Sequence, residues 1–120
     1  MTDITPLIKV GSRVIQSYGD NSVRVSGVVY TSPLCVTVDD ITPWSGNIAD
    51  LVNLPSGLDI ELMLIGMTKI HGPVSNEIRH ALRTRGWSIE VMDIGAACRT
   101  YNVLMADGRK VGAALQITQP

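Results

Sequence analysis

The run Val91-Met92-Asp93-Ile94-Gly95-Ala96-Ala97-Cys98-Arg99-Thr100-Tyr101-Asn102-Val103-Leu104 constrains the fold more than any other stretch. Ser88 to Asp93 reads as a strand, and Ala96 to Ala106 reads as a helix that leaves through Asp107-Gly108. Almost nothing separates the two. A strand that turns directly into a helix needs a sheet face on which that helix can lie, which points to an α/β chain. The turn also gathers an acid, a glycine, a thiol, a guanidinium and an amide close together.

The flanking segments agree. Ile60 to Ile65 is apolar apart from Glu61, the pattern of a strand buried on both faces. After residues 66–73 a helix is predicted, with Ser75 as N-cap and Glu77 in its first turn. Its narrow buried stripe is Val74, Ile78, Ala81, Leu82 and Arg85. Arg83 and Arg85 suit the negative end of the helix dipole, and Gly86 supplies the stop. Val111 to Ile117 closes the sheet. The first crossover is expected to be right-handed, with its two strands parallel. The pattern leaves the direction of the last strand open.

Upstream, the chain reads as a β-meander. Arg13 to Tyr18 is one strand, Gly19-Asp20-Asn21 a turn, and Ser22 to Tyr30 a second strand in which Gly27 marks a bulge or sharp bend. Thr31-Ser32-Pro33 turns the chain into a third strand, Leu34 to Val38, and Ile4 to Val10 is a candidate edge strand. Residues 42–59 form a connector with one short helix near Ile48 to Val52. The connector carries Trp44, Ile48, Leu51 and Val52 to bury, so residues 1–120 are expected to form a single domain.

The segment EVMDIGAACRTYNVL resembles the signature of the Mth938-like family, small domains of unknown function whose mitochondrial members assist assembly of respiratory complex I. The resemblance fits nearly the whole chain. It implies a three-layer α/β fold, with a β-meander packed on a mixed sheet that carries helices on its other face. It also implies a non-enzymatic accessory or assembly protein working through protein partners, in respiratory-complex or membrane-protein assembly. Two positions depart from the family pattern: Ile94 stands where Thr is common, and Thr68 where a second glycine is usual.

Charge and composition narrow the alternatives. The net charge is −1 and the ten basic residues are dispersed, so no basic stripe suggests nucleic acid. The two cysteines, Cys35 and Cys98, suggest neither a disulfide framework nor a metal site. No glycine spacing implies a dinucleotide or P-loop cofactor, and none is expected. No apolar run approaches the length of a membrane span, and no targeting segment is evident, so a cytoplasmic setting is expected. A homodimer is compatible with these features.

Open α/β sheets bind ligands beyond the carboxyl ends of their parallel strands. Two such ends are predicted side by side, one leading into residues 66–73 and one into Asp93. The candidate binding residues at that rim are Gly66, Thr68, Lys69, His71, Asp93, Gly95, Arg99 and Asn102. A small-molecule or anion-binding protein, or an enzyme, using 66–73 and 93–99 is therefore the alternative function. Arg99 and Asn102 share a helix face, where they would form either a structural clamp or a recognition patch. Cys98 has a helix-start position that lowers a thiol pKa. It needs a base to act as nucleophile, and His71 is the only plausible one; a packing role is the simpler expectation.

Overall fold

Turn chemistry organises the first part of the chain. The computed structural model describes residues 12–19, 21–69 and 73–119. Strands β1 (Ile15–Tyr18), β2 (Val23–Val25) and β3 (Val28–Tyr30) form an antiparallel three-stranded sheet in that order. The interruption expected at Gly27 is a hairpin turn, not a bulge within one strand. Val25 pairs with Val28, and the two residues between them take left-handed backbone, with φ of 47° at Ser26 and 87° at Gly27. A tight two-residue hairpin of this kind requires positive φ at both positions. The irregularity lies instead in β1, between Ile15 and Ser17. There Gln16 Oε1 accepts a hydrogen bond from Gly27 N at 2.6 Å. The candidate strand Ile4–Val10 lies outside the described residues.

The second sheet runs β5 (Ile41–Pro43), β4 (Leu34–Thr37), β8 (Val111–Leu115), β6 (Leu62–Met67), β7 (Ser88–Asp93). β4 is antiparallel to both β5 and β8, while β8, β6 and β7 are parallel. β5 was not expected; it is three residues long and ends in Pro43, which a sheet tolerates at an edge. The connector also holds a 3-10 helix, Ile48–Asn53, near the expected position, and Asn47 caps it by accepting from Ala49 N at 3.1 Å.

The last strand is parallel to β6 and lies on its inner side. The chain steps outward from β6 to β7 through α1 (Asn76–Arg83), then back across β6 to β8 through α2 (Ile94–Ala106). Two crossovers of the same hand that step in opposite directions put their helices on opposite faces. Side chains alternate accordingly. Leu64, Val36, Ala113 and Leu115 pack with α2 and with Ile15, Val23 and Val25 of the meander. Met63, Ile65, Cys35 and Ala114 pack with Leu82 of α1 and Leu51 of the 3-10 helix. The mixed sheet thus carries the meander on one face and α1 with the 3-10 helix on the other. α2 shares the meander's side.

α1 starts as expected, Ser75 Oγ accepting from Ile78 N at 3.2 Å. It ends at Arg83, so Arg85 is not part of its stripe. Arg85 instead donates to the carbonyls of Val52 (3.1 Å), Leu54 and Pro55 (2.8 Å). Its guanidinium also lies 4.3 Å from the ring centre of Trp87, which is buried. One arginine therefore ties the end of α1 to the end of the 3-10 helix.

Candidate functional site at the start of the second helix

Asp93 is both the last residue of β7 and the cap of α2. Its backbone is extended, and its Oδ1 accepts from Ala96 N at 2.7 Å. This cap starts the helix at Ile94, ahead of the expected Ala96, and buries Ile94. Gly66 lies directly beneath, inside β6 rather than in the following loop. A Cβ on Gly66 would sit 3.0 Å from Ala97 Cβ and 3.2 Å from Ile94 Cα. The glycine therefore serves close approach of helix to sheet, and its missing side chain opens no space for a ligand.

Three residues of α2 hold the meander. Tyr101 is fully buried and its hydroxyl donates to Arg13 O at 2.7 Å; burial pushes its pKa above the ordinary phenol range. Asn102 uses both ends of its amide on one residue. Its Oδ1 accepts from Ile15 N at 3.0 Å and its Nδ2 donates to Ile15 O at 2.7 Å. The side chain thus substitutes for a neighbouring strand where β1 is irregular. Arg99 Nη1 donates to Tyr18 Oη at 2.8 Å, with its guanidinium 5.7 Å from the ring centre. That bond raises the Arg99 pKa and keeps it charged. Among the described residues the ion pair found is Lys110–Asp59 at 3.3 Å, and Arg99 does not pair with Asp93.

Arg99 and Asn102 thus engage different parts of the meander. Asn102 clamps backbone; Arg99 holds a tyrosine at the surface. Gly95 makes that pair possible, because a Cβ there would lie 3.0 Å from Tyr18 Cε2 and 3.1 Å from Arg99 Nη1. Tyr18 was not foreseen. It stands far from Arg99 in sequence, and no local pattern links the two.

Among the described residues, neither Thr68 nor Lys69 bonds to this group. Thr68 Oγ1 is 3.3 Å from Gln116 Oε1, and Gln116 Nε2 donates to Gly46 O at 2.9 Å, toward the segment leading into the 3-10 helix. Lys69 is exposed, and His71 lies outside the described residues. Cys98 is fully buried, and burial pushes its thiol up to about 12 against the opposing effect of Arg99. Cys35 is buried and raised to about 12 for the same reason. Thiols so protonated are packing groups at neutral pH. Among the described residues no group of three or more His, Cys, Asp or Glu could hold a metal ion, and no helix is long and apolar enough to cross a membrane.

A cleft of about 570 Å³ opens on the opposite face, between α1 and the Ser45–Ile48 segment at the carboxyl end of β6. The strand-end rule pointed to this end of the sheet but not to this side. The side follows from the direction of the chain into α1.

This architecture is that of Mth938-like domains. The solution structure of a Bordetella pertussis protein described by that name superposes with a TM-score of 0.77 at 24% identity, covering 98% of this chain and 90% of that one. Residues 15–116 match the family model described as "Protein of unknown function (DUF498/DUF598)", and the chain belongs to that family. An uncharacterised protein of Rhodobacter capsulatus is 34% identical over 107 residues, 88% of this chain and 85% of that protein. Human NADH dehydrogenase (ubiquinone) 1 alpha subcomplex assembly factor 3 is 28% identical over 108 residues, which are 84% of this chain. The match spans 59% of that human protein.

Proposed function

We propose that this protein is a cytoplasmic, non-enzymatic accessory protein that acts in assembly of a larger protein complex, and that Tyr18 and Arg99 form part of its partner-binding surface. The likeness to an assembly factor supports the general role. The observation that carries the surface is the Tyr18–Arg99 pair itself, exposed on a scaffold fixed by Asn102 and Tyr101. Tyrosine and arginine are the residue types that concentrate binding energy at protein interfaces. Here each restrains the other, which lowers the entropy cost of ordering them on contact. The exposed side chain of Val103, on the next turn of α2, adds apolar area beside the pair.

The test is capture of partners from the native host by tagged wild-type, Tyr18→Ala, Arg99→Ala and Arg99→Lys proteins, each with a denaturation curve. The proposal expects capture to fall in all three variants while the denaturation midpoint barely moves. Lysine is not expected to rescue, because it keeps the charge but loses the planar fork. Capture that follows the loss of stability would make the pair a structural clamp. Unchanged capture in all variants would refute the proposed surface.

A further inference from the structure

We propose that the cleft between α1 and the Ser45–Ile48 segment binds an uncharged small molecule with an apolar body and a carbonyl-type hydrogen-bond acceptor at one end. The inference is independent of the assembly role and uses different residues. Three observations support it: the size and position of the cleft, the anchoring of one wall, and the chemistry of its lining.

The cleft, about 570 Å³, falls within the range of small-molecule sites. It lies where the connections from β6 and β7 leave toward opposite faces of the sheet, the switch point at which open α/β sheets hold ligands. One of its walls is tied to the sheet. Trp44 Nε1 donates to Leu115 O at 3.2 Å, and Gln116 Nε2 to Gly46 O, which fixes one wall to the end of β8. Farther from the cleft, Arg85 joins the C-terminal end of α1 to the carbonyls at the end of the 3-10 helix.

The lining selects the ligand class. Ile48, Met67, Val74, Ile78 and Val91 supply an apolar floor, and among the described residues no ionisable side chain lines the cleft. A charged ligand would lose its hydration there without gaining a counter-ion from these residues. The polar groups at the mouth are mostly engaged. Ser45 Oγ donates to Asp50 Oδ2 at 2.6 Å, and Gln116 is bonded at both ends of its amide. Asn47 Oδ1 and Ser75 Oγ each accept from backbone amides. Among the described residues that leaves the Asn47 Nδ2 group and the Ser75 hydroxyl hydrogen, both donors, available to an acceptor on the ligand.

Amide-shift titration of the full chain with 2-octanone, and in parallel with octanoate, tests this. Saturable shifts at Met67, Ile78 and Val91 with the ketone, and at least tenfold weaker binding of octanoate, are expected. Asn47→Asp keeps the acceptor that caps the 3-10 helix but removes the donor, and should weaken ketone binding about fivefold or more. Val74→Trp should fill the cleft and abolish the shifts while the remaining spectrum stays folded. Absence of saturation would overturn the proposal, as would equal octanoate affinity or indifference to both substitutions. Cleft shifts that follow protein concentration without ligand would also overturn it, assigning the surface to a second copy of the chain.

Discussion

Replacing Asn102 with Ala isolates the attachment of the meander to the rest of the protein. The change removes two hydrogen bonds, of 3.0 and 2.7 Å, and leaves both backbone groups of Ile15 without their partner. Each such bond contributes ~0.5–1.5 kcal/mol, and a buried group left unpaired costs ~1–3 kcal/mol. The site is only part-buried, so water recovers some of that loss, and about 2–3 kcal/mol in total is expected. Urea denaturation gives the total, and exchange of the Ile15 amide locates it. Asn102→Asp refines the argument, because it retains the acceptor for Ile15 N and sets a carboxylate against Ile15 O. The carboxyl is favoured when protonated and able to donate, so its folded pKa is raised above the unfolded value. Its contribution is present at low pH and lost as pH rises through that folded pKa. The deficit relative to wild type should therefore shrink on acidification. A loss below about 1 kcal/mol for Asn102→Ala, with the Ile15 amide still protected, would refute the clamp.

Gly66→Ala places a methyl group 3.0 Å from Ala97 Cβ and 3.2 Å from the Ile94 backbone, and should cost ~1–3 kcal/mol by calorimetry as an overpacked site. Leu64→Ala, at a buried core position, should cost ~2–5 kcal/mol in denaturant. Lys69→Ala, at an exposed one, should stay within about 0.5 kcal/mol. Cys35 and Cys98 hold their protons in the folded state up to about 12, against an ordinary 9.0. Their stabilising contribution is therefore complete below about pH 9 and lost as pH rises toward 12. Cys98→Ala should flatten that alkaline decline, and Cys98 should alkylate no faster than the protein opens.

Local signals identified the elements that depend on local chemistry. Ser75 caps α1, Gly86 follows its end with φ of 88°, and Ser88–Asp93 forms β7 within the expected bounds. The errors arose where tertiary partners decide. Gly66 resembled a loop glycine because its real constraint, the first turn of α2, lies far along the chain. Arg85 fitted a helical stripe by spacing, yet carbonyls of the 3-10 helix claim it. β5 escaped notice because three residues ending in proline carry almost no period, and pairing with β4 makes the strand. At the candidate site, Asp93, Gly95, Arg99 and Asn102 were found together because they are neighbours in sequence. Tyr18 could be found only once the meander was in place.

The central position of β8 has a consequence for how the molecule is made. β8 pairs with β4 on one side and β6 on the other, so the β4–β5 hairpin and the β6–α1–β7 unit share no strand contact until residues 111–115 are synthesised. Before then both units present an unpaired edge, the state in which strands recruit the wrong neighbour. Closing the sheet joins residues as far apart in sequence as Leu34 and Leu115, a slow step for any domain rich in non-local pairings. Until β8 is inserted, both of those edges stay open to wrong pairing.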